Sequence, residues 1–374
     1  MKRAVDNVLI AGGGVGGLTL AIALRACGVE VEIVDPRLLP SGSGIGIGPS
    51  GLRLLDRFGL ARKLVARGTT SNSIPFGDMA GRPTFDLAYV AKPANGLPHN
   101  VTLTRAALAD VLMEGALSAG AVLREGLAVS ELRQEQDHVI ATLSDGTQRT
   151  VDLAVGADGA NSRVRSLLFG AIPLEFAGQG IWRWLVRNEW GLRQGRTLKG
   201  RRAKLGIYPL PNDQVYVFVM VSLQTNEHVD AGRTRLWLPE LLEEFTGEDA
   251  VVVRDALCRS DSFIYRPLEI LLLPAPWYSG RVVLLGDAAH TMTPHLASGG
   301  VMAVEDAVVL AGELVGTDDL TDSLQGYMKR RFERVKYVFE TSLELCRLDQ
   351  QDGMQFEEYA RIRSGALEVL AQPV

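Results

Sequence analysis

The fold turns on residues Val8–Asp35, VLIAGGGVGGLTLAIALRACGVEVEIVD. Val8 to Ala11 form a short apolar run that reads as a buried strand. Gly12, Gly14 and Gly17 follow in the order G-x-G-x-x-G and open an apolar helix from Val15 to about Cys27, stopped by Gly28. Val29–Val34 is a second apolar strand, closed by Asp35. Strand, helix and strand make a β-α-β unit, which requires parallel pairing. In this setting the first glycine permits a tight turn and the second lets backbone approach a pyrophosphate. The third lets helix and strand pack closely. The helix N-terminus offers free N–H groups to phosphates, and Asp35 can bond ribose hydroxyls. A dinucleotide site is expected here, and the carboxylate fits the free 2′-hydroxyl of FAD or NAD better than a 2′-phosphate.

Working outward, Pro40–Gly51 is Gly-rich and reads as a loop, and a helix from Leu52 to Phe58 ends at Gly59. Thr104 is a candidate N-cap for a helix reaching Ser118. Segments flanking Asp145-Gly146 read as an antiparallel hairpin, and Leu153–Gly159 returns to a buried strand and turn. Between Pro173 and Arg266 strands predominate. Tyr216, Phe218 and Met220 alternate with valines, so both faces of that strand are expected to be covered. Gln224–Arg235 reads as surface loop. Beyond Leu320 an apolar stripe of Leu324, Met328, Phe332, Val335, Phe339, Leu343 and Cys346 predicts one long helix.

Composition excludes several classes. The chain has 374 residues, an apolar share of 47% and a net charge of −5, so a soluble globular protein is expected and nucleic acid is not expected as a general partner. Cys27, Cys258 and Cys346 lie far apart, which suits a reducing compartment and gives no metal-site spacing. No run is long and apolar enough to span a membrane, and the cytoplasm is the expected location. Monomer and dimer both remain open.

Two further motifs return to the nucleotide region. One is Val155-Gly156-Ala157-Asp158-Gly159-Ala160-Asn161-Ser162-Arg163-Val164-Arg165. The other is Val282–Ala307, VVLLGDAAHTMTPHLASGGVMAVEDA. With Arg105 in Thr104-Arg105-Ala106-Ala107-Leu108, they make the chain resemble the single-component FAD-dependent aromatic hydroxylases, the para-hydroxybenzoate hydroxylase-like monooxygenases. The resemblance runs from Val8 to about Phe339. It is nearest to the short subgroup acting on heteroaromatics such as quinolones, urate or nicotinates. Relatives commonly show Leu-Gly-Gln-Gly after the proline, where this chain has Leu296-Ala297-Ser298-Gly299-Gly300. That departure puts flavin position and substrate contact in question.

The resemblance implies an α/β fold: a Rossmann-like FAD-binding domain, an inserted antiparallel sheet for substrate and a C-terminal helical segment. The expected division is 1–72, 101–172 and 270–320 for FAD, 73–100 and 173–269 for substrate, and 321–374 for the helices. It also implies site roles. Gly46, in Gly44-Ile45-Gly46-Ile47, belongs to a Gly-rich loop beside the isoalloxazine. Arg105 reaches the FAD pyrophosphate, Val129 lies near the adenine, and Asp158-Gly159 serves FAD and transient NAD(P)H. Asp287 bonds the ribityl chain, and Pro294 faces the flavin ring. Gly299-Gly300 open a helix toward the reduced flavin's charge.

Trp184, Tyr208, Tyr216, Phe218, Met220 and Arg183 are the expected substrate contacts. The implied chemistry is reduction by NADH or NADPH, then O2, then hydroxylation of an aromatic or N-heteroaromatic small molecule through a flavin C4a-hydroperoxide. His295 is the candidate proton acceptor for the substrate, and His290 is expected to order its loop. His99, His138 and His228 are expected at the surface. Arg183, Arg187, Arg193, Arg196, Lys199, Arg201, Arg202 and Lys204 form a basic run that reads as a solvated face or as a recruiter of NAD(P)H phosphates. A flavin halogenase would be expected to carry W-x-W-x-I-P, which Trp182-Arg183-Trp184-Leu185-Val186-Arg187 does not complete. A flavin-dependent reductase and a non-catalytic flavin binder are compatible with the same nucleotide motifs.

Overall fold

A computed structural model describes residues 3–38, 43–89, 95–257, 263–351 and 355–374. Pro40 to Gly42 and Cys258 lie outside the described residues. The chain opens with β1 (Asn7–Ala11), α1 (Val15–Ala26) and β2 (Glu30–Asp35). Then come β3 (Gly44–Ile47), α2 (Pro49–Asp56), α3 (Ala61–Ala66) and β4 (Thr69–Ser71). The hairpin β5 (Ser73–Gly77) and β6 (Pro83–Ala88) departs from this unit, and β7 (Asn100–Thr104) returns to it before α4 (Arg105–Ser118). Next are β8 (Val122–Glu125), β9 (Val129–Gln134), β10 (Val139–Leu143), β11 (Gln148–Val151), β12 (Leu153–Gly156) and α5 (Arg163–Phe169).

The middle of the chain forms β13 (Glu175–Arg187), β14 (Arg196–Lys199), β15 (Ala203–Leu210), β16 (Gln214–Ser222), α6 (Ala231–Leu242), α7 (Glu248–Leu257) and β17 (Ile264–Leu272). The last part is β18 (Tyr278–Ser279), β19 (Val282–Leu284), β20 (His290–Thr291), α8 (Gly299–Gly316), α9 (Leu320–Asp349) and α10 (Phe356–Ala371). Among the described residues no helix is long and apolar enough to cross a membrane.

The nucleotide fingerprint folds as its period demands. β1 pairs in parallel with β2 on one side and β12 on the other, within the order β18-β19-β12-β1-β2-β8. Val8 to Ile10 are buried because α-helices cover the sheet, which is why the strand is apolar throughout. Thr104 caps α4 by accepting from the Ala107 N–H at 3.0 Å. The Asp145-Gly146 turn joins β10 and β11 in antiparallel register.

A second, eight-stranded sheet runs β20-β17-β13-β16-β15-β14-β5-β6. Its two faces differ, and this separates Trp184 from the other expected substrate contacts. Trp184 stands opposite Val217 and packs with Leu238, Phe245 and Val253 in a core beneath α6 and α7. Tyr216, Phe218 and Met220 lie on the other face, with Arg183 opposite Phe218. Trp184 is therefore a core residue under helices, not a wall beside the other aromatics.

Three expectations change with the fold. Gly44–Ile47 is a strand rather than a loop, paired antiparallel with β7 from Gly44↔Thr104 to Ile47↔Val101. Gln224–Arg235 is only partly loop: Asp230 caps α6, accepting from the Arg233 N–H at 2.8 Å, and helix follows from Ala231. The buried face of α9 is also turned from the predicted stripe. Leu324, Met328, Val335 and Cys346 are buried as expected, but Phe332, Phe339 and Leu343 are half-buried. Tyr327, Arg331, Val338, Ser342 and Asp349 take buried places instead. Polar residues occupy that face because α9 meets the charged inner side of α8 and the end of the second sheet.

Candidate active site

The glycine turn is shaped for a close backbone approach. A Cβ on Gly12 would stand 2.2 Å from the Ala157 carbonyl oxygen, and one on Gly17 would stand 2.0 Å from the Gly12 oxygen. These positions hold the turn against β12 and α1. Gly14 differs, since nothing lies within 4 Å of where its Cβ would be. It also sits at the N-cap of α1 with no side chain capping the free N–H groups. That open cradle at a helix N-terminus fits a pyrophosphate. Asp35 stands at the end of β2, where Oδ2 accepts from the Gly13 N–H at 2.7 Å and Oδ1 from the Arg37 N–H at 2.7 Å. Its carboxylate is thereby fixed beside the turn with lone pairs to spare.

Asp158 spends most of its capacity locally. Ser162 Oγ donates to Oδ1, while the N–H groups of Arg163 and Val164 donate to Oδ2 at 2.7 and 3.0 Å. It therefore caps the start of α5 and shapes the turn, in which Gly159 has φ +79° and open space around it. Val129, at the start of β9, is 4% exposed, and β9 packs on α5.

Arg105, Arg183, Tyr216 and Asp287 converge from four elements. Loss of solvent lowers the Arg105 pKa, with Arg183 acting in the same sense and Tyr216 and Asp287 opposing. Asp287 is open to solvent, yet dense protein surrounds it, as on the wall of a deep crevice. Desolvation there holds its carboxyl above the usual carboxylate range, while His290 and Arg105 pull it down. Tyr216 also meets β3, since a Cβ on Gly44 would stand 2.5 Å from its ring. The glycine is what lets the second sheet close against the nucleotide unit. Gly46 lies in the same strand, two residues on. Beyond it, Tyr208 and Phe218 stack at 6.2 Å, and the Tyr208 hydroxyl bonds Thr197 Oγ1 at 2.6 Å.

The segment after β19 is bolted down by buried charges. Asp306 on α8 accepts from the Gly286 N–H at 2.9 Å, and its Oδ2 lies 2.6 Å from His290 Nε2. Arg331 on α9 donates to Asp306 at 2.7 Å and to Glu305 at 2.7 Å. Arg334 and Ser50 also bond Glu305. The neighbouring His290 and Arg331 hold Asp306 down at about 2 despite full burial. His290 thus orders the loop as expected. Thr293 and Ser342 exchange hydrogen bonds with each other's backbone or side chain, so the turn Pro294–Leu296 is fixed to α9.

Ala297 then takes φ +52°, a left-handed conformation for a residue with a Cβ. Ser298 folds back, its Oγ donating to the Leu296 carbonyl at 2.9 Å, and does not cap α8. The first N–H groups of α8, at Gly299 and Gly300, therefore carry no side-chain cap, which suits an adjacent anion.

His295 does not have the setting of a base near neutral pH. It is 2% exposed, with Nε2 3.1 Å from Asp349 Oδ2 but out of line for a hydrogen bond. Burial, then Lys204, Arg363 and Lys199, push its pKa well below the usual imidazole value. It is a neutral member of a buried charged cluster, one residue past Pro294.

Nor does the basic run form one face. Arg196 pairs with Asp249 at 3.1 Å and Arg202 with Glu240 at 2.9 Å on the outside. Lys204 is buried against Asp349, and Lys199 donates to the Asp349 carbonyl at 2.7 Å. Strand alternation divides the run between outside and inside. Of the histidines expected at the surface, His228 is exposed, while His99 and His138 are half-buried.

Sequence reading placed Lys204 only in the basic run and missed Asp349 and Arg363. The available signal was a charge in an apolar period. Lys204 stands among buried strand positions, and Arg363 interrupts the buried series Tyr359, Ile362, Ala366, Leu367 and Leu370 of α10.

A parallel nucleotide sheet with a glycine cradle, joined to an antiparallel sheet with an aromatic face, fits a flavin-dependent hydroxylase. Residues 6–341 match the FAD binding domain family. The chain belongs to the FAD-dependent aromatic hydroxylase family of monooxygenases, and FAD is its cofactor. It is 32% identical over 357 residues to aurachin C monooxygenase/isomerase of Stigmatella aurantiaca, covering 92% of this chain and 90% of that protein. It is 27% identical over 365 residues to FAD-dependent urate hydroxylase of Klebsiella pneumoniae, covering 94% and 92% respectively. Among solved structures, Klebsiella pneumoniae HpxO complexed with FAD and uric acid matches with a TM-score of 0.84 at 24% identity, over 98% of this chain and 97% of that one. That likeness speaks to the fold.

Proposed function

We propose that the protein uses NADH or NADPH and O2 to hydroxylate an aromatic or N-heteroaromatic small molecule. The balance is one reduced nicotinamide, one proton, one O2 and one ring C–H in, and oxidised nicotinamide, water and one ring C–OH out. Bound FAD would supply the redox chemistry, namely hydride acceptance from the nicotinamide and transfer of one oxygen atom of O2 to the ring.

The protein's own residues bind, orient and exclude water. Gly12, Gly14 and Gly17 cradle the pyrophosphate with Arg105, and Asp35 holds ribose. Asp287 takes the ribityl chain, Val129 and Asp158-Gly159 border the adenine side, and Gly46 and Pro294 flank the ring. Gly299 and Gly300 place uncapped N–H groups at the start of α8, a helix end that favours a flavin anion by about 1 kcal/mol. Tyr208, Tyr216, Phe218, Met220 and Arg183 give the substrate an apolar wall with a cationic edge. Trp184 has no part in that wall.

The observation that carries this reading is the convergence of Arg105 and Asp287 with Tyr216 and Arg183, which brings groups from the nucleotide unit to the aromatic face of the second sheet. The test is direct. The purified protein is expected to bind FAD stoichiometrically and to oxidise NAD(P)H faster when the right aromatic is added. Arg105→Met should weaken FAD binding by about tenfold to a hundredfold, the value of a lost charge-assisted bond. A protein that takes up no added FAD, or an Arg105→Met variant with unchanged affinity, would count against it.

A further inference from the structure

Ser50 stands in the first turn of α2, 3% exposed, and its hydroxyl reaches across to another helix. It donates to Glu305 Oε1 on α8 at 2.6 Å, joining positions 255 residues apart. Glu305 is fully buried and also accepts from Arg334 Nη2 on that same oxygen at 2.9 Å. Its Oε2 accepts from Arg331 Nη1 and Arg334 Nε at 2.7 and 2.8 Å. Burial raises the Glu305 pKa, but Arg331, Arg334 and Ser50 outweigh that and hold it below the usual carboxylate range. The Ser50 bond is therefore charge-assisted, and its length is that of a hydroxyl on a carboxylate. Arg331 and Arg334 rise from α9, so the oxygen that Ser50 meets is itself fixed from behind.

The bond spans two helix starts. α2 begins at Pro49, directly after β3, and α8 begins at Gly299, after the Pro294–Leu296 turn. Neither start has a side-chain cap. The two lie in close contact. A Cβ on Gly51 would stand 3.1 Å from Val301 Cγ2, and one on Gly300 would stand 3.2 Å from Ile45 Cδ1. Both also border one cavity of about 40 Å³, α2 through Gly48, Pro49 and Ser50, and the approach to α8 through Leu296, Ala297 and Ser298. Ser298 does not brace this space, because its hydroxyl turns back to the Leu296 carbonyl. Glycine contacts and the Ser50–Glu305 bond therefore set the spacing of the two starts.

We propose that Ser50 is a positioning residue for the flavin ring: through Glu305 it fixes the α2 start against the α8 start, and with them the free N–H groups that favour the reduced flavin's negative charge. This rests on the monooxygenase reading above, in which Gly46 and Pro294 flank the ring and Gly299 and Gly300 place N–H groups toward it. Ser50 acts through the spacing of the helix ends and not as a group on the substrate. A helix end favours an adjacent anion by about fivefold, and the effect fades within one turn. A small widening of the gap is therefore felt by reduced FAD more than by oxidised FAD.

The reduction potential of bound FAD, measured against reference dyes, tests this without turnover, and the flavin's visible circular dichroism is read on the same samples. Ser50→Ala should weaken binding of reduced relative to oxidised FAD by about fivefold, which lowers the potential of this two-electron couple by about 20 mV. It should also alter the dichroism. Ser50→Cys, which keeps the volume and weakens the donor, should shift the potential in the same direction by less. Ser50→Thr, which keeps the hydroxyl, should restore both readings. Thr234→Val is the control for a merely structural bond. Thr234 Oγ1 accepts from Trp182 Nε1 at 3.0 Å, buried beneath α6, and its loss should leave both flavin readings unchanged. An unchanged potential in Ser50→Ala or Ser50→Cys, no recovery in Ser50→Thr, or an equal shift in Thr234→Val would overturn the inference. FAD uptake separates the two claims. Unaltered protein that takes up no FAD sinks the monooxygenase reading and this inference together, whereas normal uptake with an unchanged potential in the Ser50 variants sinks this inference alone.

Discussion

At the scale of single residues, Ala297 shows a local cost accepted at the site. A left-handed conformation costs an L-residue about 1–2 kcal/mol, and a glycine there loses part of the gain to chain entropy. Ala297→Gly is therefore expected to stabilise the protein by up to about 1 kcal/mol, read from denaturant unfolding. A loss of stability would contradict the backbone geometry assigned to this turn. Ala297 is legible in the sequence as a departure from relatives, but its conformation is not, because nothing in the sequence states the sign of φ. His295 marks the opposite case. Its place after Pro294 is plain in the sequence, but its environment is built by Lys204, Asp349 and Arg363, which arrive from distant parts of the chain.

At the scale of elements, α8 and α9 are joined through Glu305, Asp306, Arg331 and Arg334, and this joint holds the segment from Gly286 to Leu296 in place. Removing one partner of a buried pair leaves the other uncompensated, so Arg331→Met should cost about 3–5 kcal/mol. Acid should loosen the same joint. Asp306 is held down to about 2 in the folded protein, below the usual value of about 3.9 for an unfolded chain. Its stabilising share is thus complete above about pH 4 and is lost as pH falls toward about 2. The share is about 2 kcal/mol, and an Asp306→Asn variant should lose this acid sensitivity in pH-dependent unfolding.

Which parts of this level are readable in advance follows from range. The fingerprint of β1, α1 and β2, the Thr104 cap and the Asp145-Gly146 hairpin are set by neighbours a few residues apart. The two faces of the second sheet are not separable, since strands buried on both sides look alike in either direction. Sequence alone therefore leaves Trp184 and Tyr216 as contacts of one wall, and only the cover of α6 and α7 parts them. The start of α6 is hidden by Gly232, Arg233 and Arg235, which read as loop until Asp230 caps them.

At the scale of the whole molecule, the nucleotide unit and the second sheet meet along β3, where Gly44 admits the Tyr216 ring. The family is legible because its motifs are local and ordered along the chain. The buried charged cluster beside His295 is not, because Lys199, Lys204, Asp349 and Arg363 are brought together only by packing α9 and α10 against β15.

The central claim is that this crevice carries out oxygen insertion and not merely flavin reduction. Turnover of a stimulating aromatic under isotopically heavy oxygen gas, with mass analysis of the product, tests it most directly. One heavy oxygen atom in each hydroxylated product is the predicted result. Product oxygen drawn from water, or NAD(P)H consumption that yields only hydrogen peroxide with every aromatic tried, would contradict it.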